Sequence, residues 1–266
     1  METEINNKPT FGKYILITLG ILVLAFLIYY TIMMSLAPGK KLEALKDEYS
    51  FKQSEKVKID ERLFTDSTYL ELYMEKAFLQ SRIAMAETDS IYLTIGVSDS
   101  IVNMGISGVI VHSSRISELK YSKILKKGDD YIIASILSRP LTVINEYSSI
   151  EKEPLMIKMA PKDTSEFQPD IIPDTADYEP VNYILETDNG ITIFVYQAEK
   201  INPGDRMHLF KFDLSYRMDQ AINSMKSVLA FKVPEYHLFI KMRLPRSDSK
   251  IIYRAIPKHG QIAVYL

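Results

Sequence analysis

A chain of 266 residues with a net charge of -2 carries no global field that would recruit nucleic acid, and no Lys/Arg-rich run or RNA-binding signature supplies a local one. An apolar fraction of 47%, with 17 Tyr and 11 Phe, supports a packed core rather than a disordered chain. The absence of cysteine excludes disulfides, thiolate metal sites and cysteine nucleophiles together, without fixing a compartment.

Residues 1–13 read as a short N-terminal tail. Tyr14 to Ala37 follows as YILITLGILVLAFLIYYTIMMSLA, without a charge. A helix of that length spans about 30 Å of hydrocarbon. Lys13 closes the apolar stretch on one side, and Pro38-Gly39-Lys40-Lys41 is expected to stop the helix on the other. Tyr14, Tyr29 and Tyr30 suit the two interfaces, with Tyr29 and Tyr30 able to sit inside the apolar layer. The competing reading is a signal peptide with its apolar region at Ile15–Ile28 and a small-x-small site at Ser35-Leu36-Ala37. Pro38 directly after that site, and the length of the apolar stretch, favour an uncleaved anchor in the bilayer. Lys8 and Lys13 on one side face Lys40, Lys41 and Lys46 on the other, so charge alone does not orient it. The layout of short tail, single anchor and long domain is that of a signal anchor. By analogy with that layout, the long domain is expected to be extracytoplasmic.

Residues 38–66 read as a charged stalk, and 67–266 as one soluble β-rich domain. A helix is predicted from about Ser67 to Thr88. Thr68 and Glu71 have capping-box spacing, and Leu70, Met74, Ala77, Ser81, Ala84 and Met85 share a face. The period then falls to two. Ile91, Leu93, Ile95 and Val97 alternate with Tyr92, Thr94 and Gly96, a turn follows at Ser98-Asp99-Ser100, and Ile101–Ile106 and Val109–Ser113 flank Ser107-Gly108. This predicts a three-stranded meander. Residues 118–139 read as helix or loop around Gly128-Asp129-Asp130, and Leu141–Tyr147 as a strand. Residues 160–180 combine four prolines with acidic residues and read as a long loop. Val181–Glu186 and Ile191–Tyr196 flank Asp188-Asn189-Gly190, a hairpin signal. A helix over Leu214–Leu229 carries Leu214, Met218, Ile222, Met225 and Leu229. Tyr236–Leu244 alternates as a strand, with His237, Phe239, Lys241 and Arg243 on one side. Ser247 is placed to cap a short helix at Asp248–Ile256, and Gln261–Leu266 is a last strand. The fold class is therefore α+β: an N-terminal transmembrane helix, then a β-rich, sandwich-like domain with packed helices.

The four histidines, His112, His208, His237 and His259, form no local metal pair, and the glycines form no GxGxxG, Walker or GxSxG motif. No cofactor and no metal are expected. His112 and Ser113 are adjacent on a strand and point to opposite faces, so the imidazole is not placed to activate that hydroxyl. Asp129-Asp130 reads as a turn rather than a carboxylate dyad.

Two stretches, YLTIGVSDSIVNMGISGVIVHSSRIS (Tyr92–Ser117) and IKMRLPRSDSKIIYRAIPKHGQIAVYL (Ile240–Leu266), resemble the opening meander and the closing strand–helix–turn–strand of L,D-transpeptidase catalytic domains. That family closes on SHGCxRL. Here Arg243-Leu244 falls where its Arg-Leu would lie, and Asp248, Tyr253, Pro257 and Gly260 keep the rhythm. The nucleophile position is Lys241, preceded by Leu238, Phe239 and Ile240. The resemblance therefore implies a relative without the family's chemistry, from which only Arg243 carries over. The expected function is non-enzymatic: presenting a domain that binds an envelope protein or peptidoglycan, with His112, Lys241 and Arg243 as candidate groove residues. The alternatives are a structural subunit of a membrane assembly and an enzyme using a His/Lys-based site. The last predicts a concave pocket gathering His112, Lys241 or Arg243 with carboxylates.

Overall fold

A computed structural model of the chain describes residues 11–49, 67–152, 179–200, 204 and 206–266. The Pro/acidic stretch at 160–180 and the second half of the stalk fall almost wholly outside these residues. The chain divides into two compact units, Met1–Ala44 with Arg217–Tyr236, and Leu45–Tyr216 with His237–Leu266.

In the first unit the principal element is α1, Phe11–Tyr49, whose last residues belong to the second unit. Among the described residues it is the one helix long and apolar enough to cross a membrane, and no residue of its apolar window is buried. The expected stop at Pro38 does not occur; Pro38 lies inside the helix. An internal proline costs about 3 kcal/mol because it removes an i→i−4 bond and crowds the preceding turn. Two features offset this: Ala37 is buried, and Lys40 to Lys46 (Lys-Lys-Leu-Glu-Ala-Leu-Lys) consists of strong helix formers. Beside α1 runs the C-terminal part of α5, Arg206–Leu229. The Tyr29 hydroxyl donates to the Val228 carbonyl at 3.4 Å, and the Tyr29 and Phe231 rings lie 6.0 Å apart.

The second unit is a mixed α/β domain built on a nine-stranded sheet. The predicted meander forms as β1 (Tyr92–Gly96), β2 (Ile101–Ile106) and β3 (Val109–Arg115), all antiparallel neighbours. Ser107 and Gly108 both take positive φ in the β2–β3 turn, the geometry that matches strand twist in a two-residue hairpin loop. Residues 118–139 resolve into β4 (Glu118–Tyr121), α3 (Lys123–Lys127) and α4 (Asp130–Leu137). Asp129 caps α4 by accepting from the Tyr131 amide. Then come β5 (Leu141–Ser148), the hairpin β6 (Asn182–Thr187) and β7 (Ile191–Gln197), β8 (Leu238–Leu244), α6 (Arg246–Ala255) and β9 (Gln261–Tyr265).

The strand order is β3-β2-β1-β9-β5-β6-β7-β8-β4, with β1–β9 and β7–β8 parallel. β3 and β4 stand at opposite ends of that order, yet only Ile116-Ser117 joins them. Those residues reach about 12 Å, whereas a flat sheet would hold its outer strands about 40 Å apart. The sheet therefore turns round on itself. A register shift between Val143 and Asn145 lets β5 bond β9 with its first residues and β6 with the rest. The enclosed core includes Val143, Ile191, Ile193, Leu238, Ile240 and Ile262, each almost completely buried. Burying one such side chain contributes about 1.5–3 kcal/mol.

α2, Ser67–Ala86, packs against α4 and β9. Leu70, Ala77, Ser81 and Met85 are buried as the periodicity predicts, whereas Ala84 is exposed. Thr68 lies within the helix rather than at its cap. Met85 meets Tyr92 and Ala263, so β1 is covered on both faces and its alternation does not separate buried from exposed residues. Ser247 likewise lies inside α6. Pro245 occupies the cap position, and the Glu199 carboxylate accepts from the Arg246 amide at 2.9 Å and 3.0 Å.

Candidate functional site

β8 buries Leu238, Ile240, Met242 and Leu244 and turns Phe239, Lys241 and Arg243 to its other face. Because β7 runs parallel beside it, Tyr196 and Gln197 lie opposite Arg243 and Leu244. The Lys241 ammonium sits over the Tyr196 ring at 4.3 Å from its centre, a cation–π contact. Tyr196 in turn donates its hydroxyl to Asp213 at 2.8 Å. Arg243 donates through Nε to Glu118 at 2.9 Å across the β4–β8 pair and through an η nitrogen to the Gln197 carbonyl at 3.2 Å. Lys120, hydrogen-bonded to Glu118, and then Arg243 hold that carboxyl below the usual range. Both cations are thus engaged on the strand face, neither presented as a nucleophile nor as an open anion site.

His112 is placed differently. On β3 it shares a face with Ser114, not with Ser113, which donates to Asn103 at 2.7 Å on the other side. Ser114 is buried and donates to the Asp248 carboxylate at 2.7 Å, and His112 Nε2 lies 3.4 Å from the second Asp248 oxygen. That separation is an ion-pair contact rather than a good hydrogen bond, so the buried Nε2 has no hydrogen-bond partner. Asp248 stands in the first turn of α6, where the helix dipole favours a carboxylate.

Sequence reasoning missed this cluster because Asp248 is distant in the chain. The one available signal was the period-two spacing of His112 and Ser114. Its chemical order is hydroxyl–carboxylate–imidazole. A hydrolytic triad needs the imidazole between the other two, so that it removes the hydroxyl proton. Here the serine gives its hydrogen bond to the carboxylate and stays a hydroxyl. What the cluster does is fasten the N-terminus of α6 to β3.

His112 is engaged with Asp248, and Lys241 and Arg243 with Tyr196, Glu118 and Gln197; neither of the two clefts described, at Ala37–Tyr236 and at Asp99–Arg115, is lined by any of the three. Among the described residues no group of three or more His, Asp or Glu side chains is arranged to hold a metal ion. A different feature stands out on β3: Val109, Ile110 and Val111 are all exposed on a strand at the end of the sheet order. No family model, no curated protein and no solved structure matches the chain.

Proposed function

We propose that this protein is a non-enzymatic, single-pass membrane protein that holds a sandwich-like β-domain beside a bilayer for binding an envelope protein or peptidoglycan. The observation that carries the reading is α1: no residue of its apolar window is buried, which water would penalise and hydrocarbon would not. A core helix would be covered, so the uncovered surface favours an anchor. The arrangement of the chemical residues supports the non-enzymatic part. The best-assembled hydroxyl, Ser114, faces a carboxylate, and the lysine at the transpeptidase nucleophile position is stacked on a tyrosine.

The partner surface fits the end of the sheet. An exposed apolar edge strand offers unpaired backbone groups to an added strand and alternate side-chain pockets for specificity. The resemblance to L,D-transpeptidases directs the choice of partner toward cell-wall material, with the domain outside the inner membrane.

The test uses the full chain in native membranes. It is expected to stay with the membrane through alkaline carbonate extraction and to co-sediment with purified sacculi, or else to form an envelope-protein adduct from a photo-reactive residue at Ile110. Release by carbonate would defeat the tether. Retention with neither sacculi nor an adduct would defeat the partner reading.

A further inference from the structure

The stripe predicted on α5 does form, but it faces outward. Met218, Ile222, Met225 and Leu229 recur at spacings of four, three and four, and all four are exposed; Phe231, just beyond the helix, is 82% exposed. On the same helix Met207, Phe210 and Leu214 prolong the stripe. Such a row normally packs on a core, yet within the helical unit it stays uncovered.

Two observations choose among occupants. The first is position. Within the helical unit, Val228 and Phe231 touch Tyr29 of α1. Tyr29 lies about 12 Å to the apolar side of Ala37, at 1.5 Å rise per residue. A residue beside Tyr29 is level with the uncovered hydrophobic part of α1, where acyl chains are the surrounding medium. The second is charge. A cleft of about 340 Å³ opens in the same unit, its lining including Ala37, Lys40, Lys41, Lys232, Glu235 and Tyr236. Three ammonium groups against one carboxylate leave it basic, and it sits at the Lys40-Lys41 end of the apolar stretch. Apolar side chains at acyl depth, with lysines at headgroup depth, fit an anionic phospholipid leaflet.

We propose that the C-terminal half of α5, Met218 to Phe231, inserts into the same leaflet that α1 enters, and that Lys40, Lys41 and Lys232 seat an anionic phospholipid headgroup there. The proposal rests on the reading of α1 as an anchor. It gives the protein a second membrane contact and makes its seating depend on lipid charge.

Because the chain has no cysteine, single cysteines carrying an environment-sensitive fluorophore report position cleanly. Full-length Leu24→Cys, Leu229→Cys and Lys120→Cys would be labelled and reconstituted in vesicles of brominated phosphatidylcholine, with and without phosphatidylglycerol. Quenching is expected at 24 and 229 and not at 120. Quenching at 24 without 229 overturns the proposal and leaves the anchor intact. Quenching at neither defeats the anchor itself. Efficient disulfide dimerisation of unlabelled Leu229→Cys under an added oxidant in the same vesicles, together with no quenching of the labelled protein at 229, assigns the stripe to a second copy and also overturns the proposal.

For the headgroup, phosphatidylglycerol is expected to be enriched around the chain, and each Lys→Gln change at 40, 41 or 232 to cut that enrichment about fivefold, the weight of one basic residue at an anionic surface. Equal enrichment in the triple variant, with unchanged quenching at 24, overturns the cleft assignment.

Discussion

In the β-domain Ile191, Leu238 and Ile240 are fully buried, whereas Leu16, Leu22 and Leu24 of α1 stand 73%, 62% and 59% exposed. The residue types are the same; the difference lies in what surrounds them. The sheet turns its apolar side chains toward one another, as expected where water is the solvent. The helical unit turns them outward along α1 and again along Met218–Leu229. The β-domain thus has a core of its own among the described residues, while the helical unit leaves its apolar side chains uncovered, as the proposed bilayer anchor requires.

The largest test of that contrast compares matched truncations. Ile240→Ala removes a completely buried side chain between two strands and is expected to destabilise the β-domain by about 2–5 kcal/mol, read as a lowered urea midpoint. Leu24→Ala, in the apolar stretch of α1, is expected to leave that midpoint unchanged. Leu24→Arg probes the other solvent: a charge near the middle of the span is expected to cost about 2.5–3.5 kcal/mol of insertion. The readout is the fraction retained after carbonate extraction. If Leu24→Arg leaves retention intact while Ile240→Ala unfolds the domain, the outward-facing residues of α1 are not reading lipid.

A smaller effect belongs to the polar fastening of α6. Asp248→Ala strands the buried Ser114 hydroxyl and the His112 imidazole, with an expected cost of about 1–3 kcal/mol; Ser114→Ala, which removes donor and need together, is expected to cost about 1 kcal/mol. Equal midpoints for Asp248→Ala and the parent would mean the contact contributes nothing.

These contrasts also show where sequence reading succeeds. Period-two alternation located β8 with the correct buried face because Leu238, Ile240 and Met242 face the core while Lys241 and Arg243 do not. Asp188-Asn189-Gly190 located the β6–β7 turn because Gly190 has to take positive φ. Local rules failed where distant segments decide. β4, Glu-Leu-Lys-Tyr, has no apolar run of its own and exists by pairing with β8. Pro38 carries a stop signal that helix-favouring residues on its C-terminal side override. The face of α5 was readable, but not the direction in which it points, since periodicity gives a stripe and not its occupant. The meeting of His112 with Asp248 depends on the sheet turning round to bring β3 beside α6, which neither segment encodes alone.

The smallest expected effect is a titration at the part of α5 that belongs to the β-domain. Tyr216 lies edge-on to Tyr147 and Phe194, and its hydroxyl donates to Glu186 at 3.1 Å. Burial, and next the Glu186 carboxylate, push its ionisation up to about 12. A phenol whose folded value exceeds the unfolded one of about 10 binds its proton more tightly in the native state. Its contribution is therefore complete below pH 10 and is lost as pH rises from about 10 to about 12. Partial exposure of the ring keeps the size modest. The phenolate absorbance difference between the parent and Tyr216→Phe is expected to titrate near 12, and the parent's urea midpoint to fall more steeply than the variant's across that window. In Glu186→Gln the phenol loses a neighbouring charge, so its titration is expected to move down toward the ordinary value. A midpoint that stays near 12 in that variant would assign the whole shift to burial by the two rings.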